Sequence, residues 1–327
     1  MRICAPLTLG DVPDPLPAIQ MVSATTGWAL GQHRILHTGD GGNHWTTQLS
    51  GSSHLRFVDA TDASHAWAVA PEAVLATTDG GAHWQTVNRS SGPQWTMVHF
   101  VSSELGWGIT TGGLVQSSDG GRTWRAVDAP CGAEMVCFSD PSHGWLGVRN
   151  RIYRSDDGGS HWAASLAVPG WDATGHTTSL QCVRDGAWAY FGGQGAATSH
   201  VPYIAYHATV GPWNPVMKEQ MTGPAGVDAP AGGTYPAPMS AVSADTAVFV
   251  TYTPPGDPPV GMVLAKRGGR ALTPIRSLPT APGNAPVSAS FVTLDKGWVI
   301  VTDGTEWVIL ATSNGGASWH EQARTGS

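Results

Sequence analysis

The chain has 327 residues and a formal net charge of −7, with 13% charged residues, 42 glycines, 24 prolines and 15 tryptophans. Acidic balance and only three lysines argue against a nucleic-acid or anionic-membrane partner, whose recognition depends on clustered Lys and Arg. The apolar content is too high for a disordered chain, and no apolar run approaches the roughly 20 residues of a membrane span.

Met1 to Pro6 lacks the apolar stretch of a secretory leader. The expectation is therefore a cytoplasmic protein or a mature extracytoplasmic one, with the second preferred. The four cysteines (Cys4, Cys131, Cys137 and Cys182) have no CxxC spacing, so no zinc site is expected. Cys131 and Cys137 are close enough for a small-loop disulfide, and buried free thiols are the alternative.

Taken in chain order, the sequence reads as repeated four-strand units beginning near residues 18, 54, 96, 134, 178, 238 and 287. Residues 1–17 are a closing strand or a tail, with Cys4 to Leu9 the candidate strand. The first unit opens with Ala18-Ile19-Gln20-Met21-Val22, continues through Gly27-Trp28, and reaches the phrase Thr38-Gly39-Asp40-Gly41-Gly42-Asn43-His44-Trp45. The same Ser/Thr-x-Asp-Gly-Gly-x-x-Trp phrase returns at Thr77 to Trp84, Ser117 to Trp124 and Ser155 to Trp162. A last copy, Thr312 to Trp319, carries Asn314 in place of Asp.

The Asp positions of the first four copies recur at roughly 40 residues, the period of a repeat architecture. In those units a Gly-Trp or Ala-Trp phrase stands twelve residues ahead of the Asp, as Trp28 stands before Asp40 and Trp67 before Asp79. The third unit shows the strand pattern plainly. Met97 to Phe100, Trp107 to Thr110, Leu114 to Ser117 and Trp124 to Val127 are short runs separated by turn residues, with no helical period competing. Unit five keeps a decayed phrase at Gly211-Pro212-Trp213 and unit six keeps none. Long insertions lie at Gly192 to Pro202 and Thr222 to Pro238.

The phrase has a physical role in a hairpin. Asp accepts backbone N–H groups of the turn, the paired glycines supply positive φ, and Trp buries its ring against a neighbouring strand. Asn314 keeps an acceptor without the charge. Four short strands per unit of about 40 residues define a β-propeller blade. The expected fold is all-β: a single seven-bladed propeller domain of four-stranded antiparallel blades with Asp-box hairpins.

These phrases resemble the Asp-box (BNR) repeat. Together with the Gly-Trp phrase they look most like the photosystem II stability/assembly factor-like group, and more distantly sialidase-type propellers. A sialidase would need three arginines on a substrate carboxylate, a tyrosine nucleophile with a glutamate partner, and an acid/base aspartate. The first strand, Ala18 to Val22, has no arginine, and only Arg56 and Arg184 lie in or beside innermost strands. The resemblance thus implies a fold more than an activity.

Subtracting the repeat leaves the candidates for function. The structural set is Asp40, Trp45, Asp79, Trp84, Asp119, Trp124, Asp157, Trp162, Asn314 and Trp319. The acidic residues Asp59, Asp62, Asp140, Asp185, Asp245 and Asp295 are read as turn residues on the same face. The opposite, ligand face is expected to carry Glu72, Trp95, Trp171, His176, His200, Tyr203, Tyr235 and Asp257. The leading reading is a non-enzymatic, monomeric binding protein or scaffold that recognises a protein or glycan through the loop-rich face of blades five to seven, with no cofactor and no metal. The alternative is an exo-acting glycoside hydrolase, sialidase-like or xyloglucanase-like, using Glu134 and Asp172 as a carboxylate pair near the central funnel.

Overall fold

The computed structural model describes residues 18–31, 33–51, 54–169, 175–192, 203–209, 211–219, 238–250, 262–266, 273–276, 285–302 and 306–324. Within these residues the chain is all-β, without a helix, and forms seven four-stranded antiparallel sheets. The first is β1 (Ala18–Met21), β2 (Gly27–Gly31), β3 (Arg34–Thr38) and β4 (Thr46–Ser50). The second is β5 (Phe57–Ala60), β6 (Ala66–Ala70), β7 (Ala73–Thr77) and β8 (Gln85–Arg89). The third is β9 (Trp95–Phe100), β10 (Gly106–Thr110), β11 (Gly113–Ser117) and β12 (Arg125–Ala126). The fourth is β13 (Met135–Phe138), β14 (Gly144–Val148), β15 (Arg151–Ser155) and β16 (Ala163–Ala167). The fifth is β17 (His176–Val183), β18 (Gly186–Gly192), β19 (Tyr203–Ala208) and β20 (Asn214–Glu219). The sixth is β21 (Met239–Ser243), β22 (Thr246–Val250), β23 (Met262–Lys266) and β24 (Thr273–Arg276). The seventh is β25 (Ala285–Phe291), β26 (Gly297–Thr302), β27 (Trp307–Thr312) and β28 (His320–Arg324). In each sheet the strands lie in chain order, a four-stranded meander.

Two compact units contain these sheets: residues 1–148 with 154–163, and residues 149–153 with 164–327. The candidate closing strand Cys4 to Leu9 lies outside the described residues.

Burial follows strand position. The second strands β2, β6, β10 and β14 are buried at every residue, so they read as continuous apolar or small-residue runs. The fourth strands β4, β8 and β28 are exposed or half-buried and mostly polar, which blunts a free sheet edge. The cores lie between successive sheets. In the first unit, Trp28, Leu30 and Ile35 pack with Val58, Ala66 and Ala68, and Trp67, Val69 and Val74 pack with Trp95, Val98 and Phe100. In the second unit, Trp188, Tyr190 and Tyr203 pack with Met239 and Phe249, and Val248 and Val250 pack with Phe291, Val299 and Leu310.

The Gly of the Gly-Trp phrase has a packing reason. Gly106 pairs with Phe100, and a Cβ there would sit 2.4 Å from the Phe100 ring; Gly144 and Phe138 repeat the relation at 2.4 Å. The second sheet has Ala66 instead of Gly, and its partner across the register is Ala60 instead of Phe. Both combinations avoid setting a Cβ against a Phe ring, which is why the phrase tolerates both.

The structure corrects three sequence expectations. Asp59 is on β5, 6% exposed, and is no turn residue. Trp95 is the first residue of β9 and Tyr203 the first of β19, at 3% and 0% exposure, so both are interior residues and present no open face. Burial of an aromatic ring between sheets outweighs its place at the end of a connection.

Candidate functional site

The repeated turn is built alike in all five copies. In the first, Thr38 Oγ1 donates to Asp40 Oδ1 at 3.0 Å and accepts Gly42 N–H at 2.7 Å, while His44 N–H donates to Asp40 Oδ1 at 2.9 Å. Gly41 and Gly42 have φ of 75° and 88°, conformations that favour glycine. Gly41 N–H also donates to Thr25 O at 2.7 Å, which ties the turn to the first hairpin of its own sheet. Gly80 to Ser64 O, Gly120 to Glu104 O, Gly158 to Ser142 O and Gly315 to Asp295 O repeat that bond.

The opening Ser or Thr is buried each time, at 1–2% exposure for Thr38, Thr77, Ser117, Ser155 and Thr312, whereas Asp40, Asp79 and Asp157 are exposed. Hydrogen bonds hold the carboxyls well below the usual range, at about 2. The leading donor is His44 N–H for Asp40, His83 N–H for Asp79, the Thr123 hydroxyl for Asp119 and the His161 ring for Asp157. Asn314 accepts Ser318 N–H at 2.8 Å and returns a bond from Nδ2 to Ser318 Oγ at 2.9 Å. All ten residues of the structural set are thus in turns or beside them. The Trp rings that close the repeated turns are half-buried, and Trp84 and Trp124 donate to Gln48 Oε1 and Gly121 O.

The turns also join neighbouring sheets. Trp67 Nε1 donates to Gly120 O at 3.0 Å, and Trp107 Nε1 to Gly158 O at 3.2 Å. Gln48 does this for the first pair: it accepts from Trp28 and Trp84 and donates to Gly80 O at 2.7 Å.

A second series of links escapes a reading of the repeat alone. Gln20 Nε2 donates to Ala60 O, Asp59 Oδ2 accepts Phe100 N–H at 2.6 Å, and His99 Nε2 donates to Phe138 O at 2.9 Å. In the second unit Gln181 bonds both Met239 O and Ala241 N–H, and Ser240 Oγ accepts Phe291 N–H. Each of these five side chains bonds backbone of the next sheet's first strand. Burial pushes the Asp59 carboxyl up, opposed by His99, whose Nδ1 lies 3.9 Å from Asp59 Oδ1. The signal was in the spacing: Gln20, Asp59 and His99 stand eight residues ahead of Trp28, Trp67 and Trp107.

Of the ligand-face candidates, Glu72 is exposed in the turn between β6 and β7, and His176 is half-buried at the start of β17. Glu134 is half-buried just ahead of β13, its N–H donating to Gly147 O at 2.8 Å. Trp171, Asp172, His200, Tyr235 and Asp257 lie outside the described residues, so the Glu134–Asp172 pair has no geometry to report. Among the described residues no group of three or more His, Cys, Asp or Glu is arranged to hold a metal ion, and no helix is long and apolar enough to cross a membrane. Cys131, Cys137 and Cys182 are each disulfide-bonded, so these three are not free thiols.

Four-stranded meanders joined through their innermost strands and their last turns define a β-propeller fold. Solved structures agree. YCF48 bound to D1 peptide superposes with a TM-score of 0.62 at 15% identity, covering 96% of this chain and 99% of that one. YCF48 from Cyanidioschyzon merolae gives 0.61 at 15%, covering 92% and 95%. The GH74 enzyme of Niastella koreensis gives 0.68 at 14%, covering 92% of this chain but 53% of the enzyme. At such identities the likeness is one of fold. No family model and no curated protein matches the chain.

Proposed function

We propose that this chain is a non-enzymatic propeller that binds a protein partner through an extended peptide segment. The observation that carries the reading is the end-to-end correspondence with YCF48 bound to D1 peptide, 96% of one chain against 99% of the other. Its repeated turns are read as Asp-box hairpins, its seven sheets as seven propeller blades of a single domain, and residues 1–17 as the closing strand or a tail. The docking surface is assigned to the sheet ends of blades five to seven opposite the repeated turns, the end at which β17 begins with His176. Disulfide-bonded Cys131, Cys137 and Cys182 favour an oxidising, extracytoplasmic setting. Selection from a phage-displayed random peptide library, followed by calorimetric titration, tests the reading; no enrichment over the heat-unfolded protein would count against it.

The second reading is a glycoside hydrolase, favoured by the GH74 likeness. Such chemistry needs two carboxyl groups about 5–10 Å apart across an open pocket. Turnover of xyloglucan or aryl glycosides by the wild type, lost in Glu134→Gln, would establish it in place of the first.

A further inference from the structure

Successive sheets of the first unit close against one another with glutamine side chains, except in one place. Between the first and second sheets Gln48 fills the space beneath the Gly80 turn, donating to Gly80 O. Between the third and fourth, Gln116 on β11 fills it, donating to Gly158 O at 3.2 Å. The second sheet has neither filler. Gln48 follows Thr46-Thr47 on β4 as Val87 follows Gln85-Thr86 on β8, and Gln116 pairs with Trp107 as Ala76 pairs with Trp67. A pocket of about 120 Å³ remains between the second and third sheets, walled by Trp67, Ala76, Val87 and Gly120.

One cation lines it. Arg122 occupies the first position after the paired glycines of the repeated phrase, where the other copies carry Asn43, Ala82, Ser160 and Ala317. Its Nη1 donates to Asp119 O at 2.7 Å, and among the described residues no carboxylate pairs with its guanidinium. Asp79, also in the lining, is committed to its own turn. Oδ1 accepts Thr77 Oγ1–H and His83 N–H at 2.9 Å each, and Oδ2 lies 2.7 Å from His83 Nδ1. Arg122 supplies the guanidinium, with Ser103 and Gln85 as further hydrogen-bonding groups and Val87 and Ala76 as an apolar floor. A planar carboxylate on a short apolar body matches that arrangement.

We propose that this pocket is a binding site for a small monocarboxylate, held by Arg122 and independent of the partner surface described above. The test uses the full chain labelled with ¹⁵N and follows the Trp67 indole N–H resonance, assigned with Trp67→Phe. Sodium acetate is titrated against sodium chloride at equal ionic strength. A saturable shift with acetate, absent with chloride, is expected. Affinity falls by about tenfold or more in Arg122→Ala, the scale for losing a charge-assisted bidentate contact. Val87→Gln, which restores the filler of the first sheet, is expected to abolish the shift. No acetate shift, an equal shift with chloride, or full binding in both variants would each overturn the site.

Discussion

Trp67 lies flat against Phe100 of the next sheet, with ring centroids 3.7 Å apart and planes 5° from parallel, while its indole N–H donates to Gly120 O. Trp107 and Phe138 repeat the stack at 3.5 Å and 6°. The Gly-Trp phrase and the repeated turn thus meet across a sheet boundary, each holding the other's neighbour.

Removing the ring is expected to be costly. Phe100→Ala should lower stability by about 3–5 kcal/mol, the range for deleting a buried aromatic side chain. Urea unfolding followed by tryptophan fluorescence measures the loss. The converse change tests the Gly–Phe relation: Ala60→Phe should destabilise by about 1–3 kcal/mol through overpacking against Ala66, and adding Ala66→Gly should recover part of it.

The repeated turn rests more on its buried hydroxyl than on its exposed carboxylate. Ser117 Oγ accepts Gly121 N–H at 2.9 Å in a buried setting, so Ser117→Ala strands a donor and should cost about 1–3 kcal/mol. Asp119→Ala leaves N–H groups that water can reach, and about 1 kcal/mol is expected. Neither change should alter partner binding, which calorimetry on the two variants would measure.

Acid should weaken the fold through these same turns. Asp40, Asp79, Asp119 and Asp157 are held at about 2 in the folded chain, against roughly 3.9 when unfolded. The unfolded chain binds more protons between those values, so the stabilisation is complete above about pH 4 and is lost as pH falls toward about 2. Asp40, Asp79 and Asp157 are exposed, so salt should shrink the effect. Urea midpoints measured from neutral pH downward, with and without salt, should show both trends.

Asp59 has the opposite sign. Its carboxyl is pushed up by burial, so the folded state favours the protonated form. That preference is fully present below about pH 4 and is lost as pH rises through the folded value. Asp59→Asn keeps an acceptor for Phe100 N–H without the charge. It should be more stable than the wild type at neutral pH, with the gap closing toward about pH 4; a constant gap would remove the buried charge as the cause.

The architecture was legible because Asp-Gly-Gly and Gly-Trp each answer a local steric demand: positive φ at Gly41 and Gly42, and room for the Phe100 ring at Gly106. The links between sheets were less so. Asp59 stands three residues ahead of Asp62, which does cap its turn by accepting Ser64 N–H at 2.7 Å. Nothing local separates the two; the difference is that Asp59 meets Phe100, 41 residues away. Trp95 and Tyr203 lie outside the repeat, yet they fill spaces between sheets whose shape only packing reveals. The pocket beside Arg122 escaped because it arises from residues that are small, Ala76 and Val87, where sequence reading looks for residues that are reactive.

The central claim is that the repeated turns build the fold and the opposite sheet ends bind the partner. Hydrogen exchange of the full chain with and without a peptide selected from the library tests it most directly. The account predicts new protection around His176 and unchanged exchange at Gly41, Gly80, Gly120, Gly158 and Gly315. Protection confined to those glycine turns would contradict it.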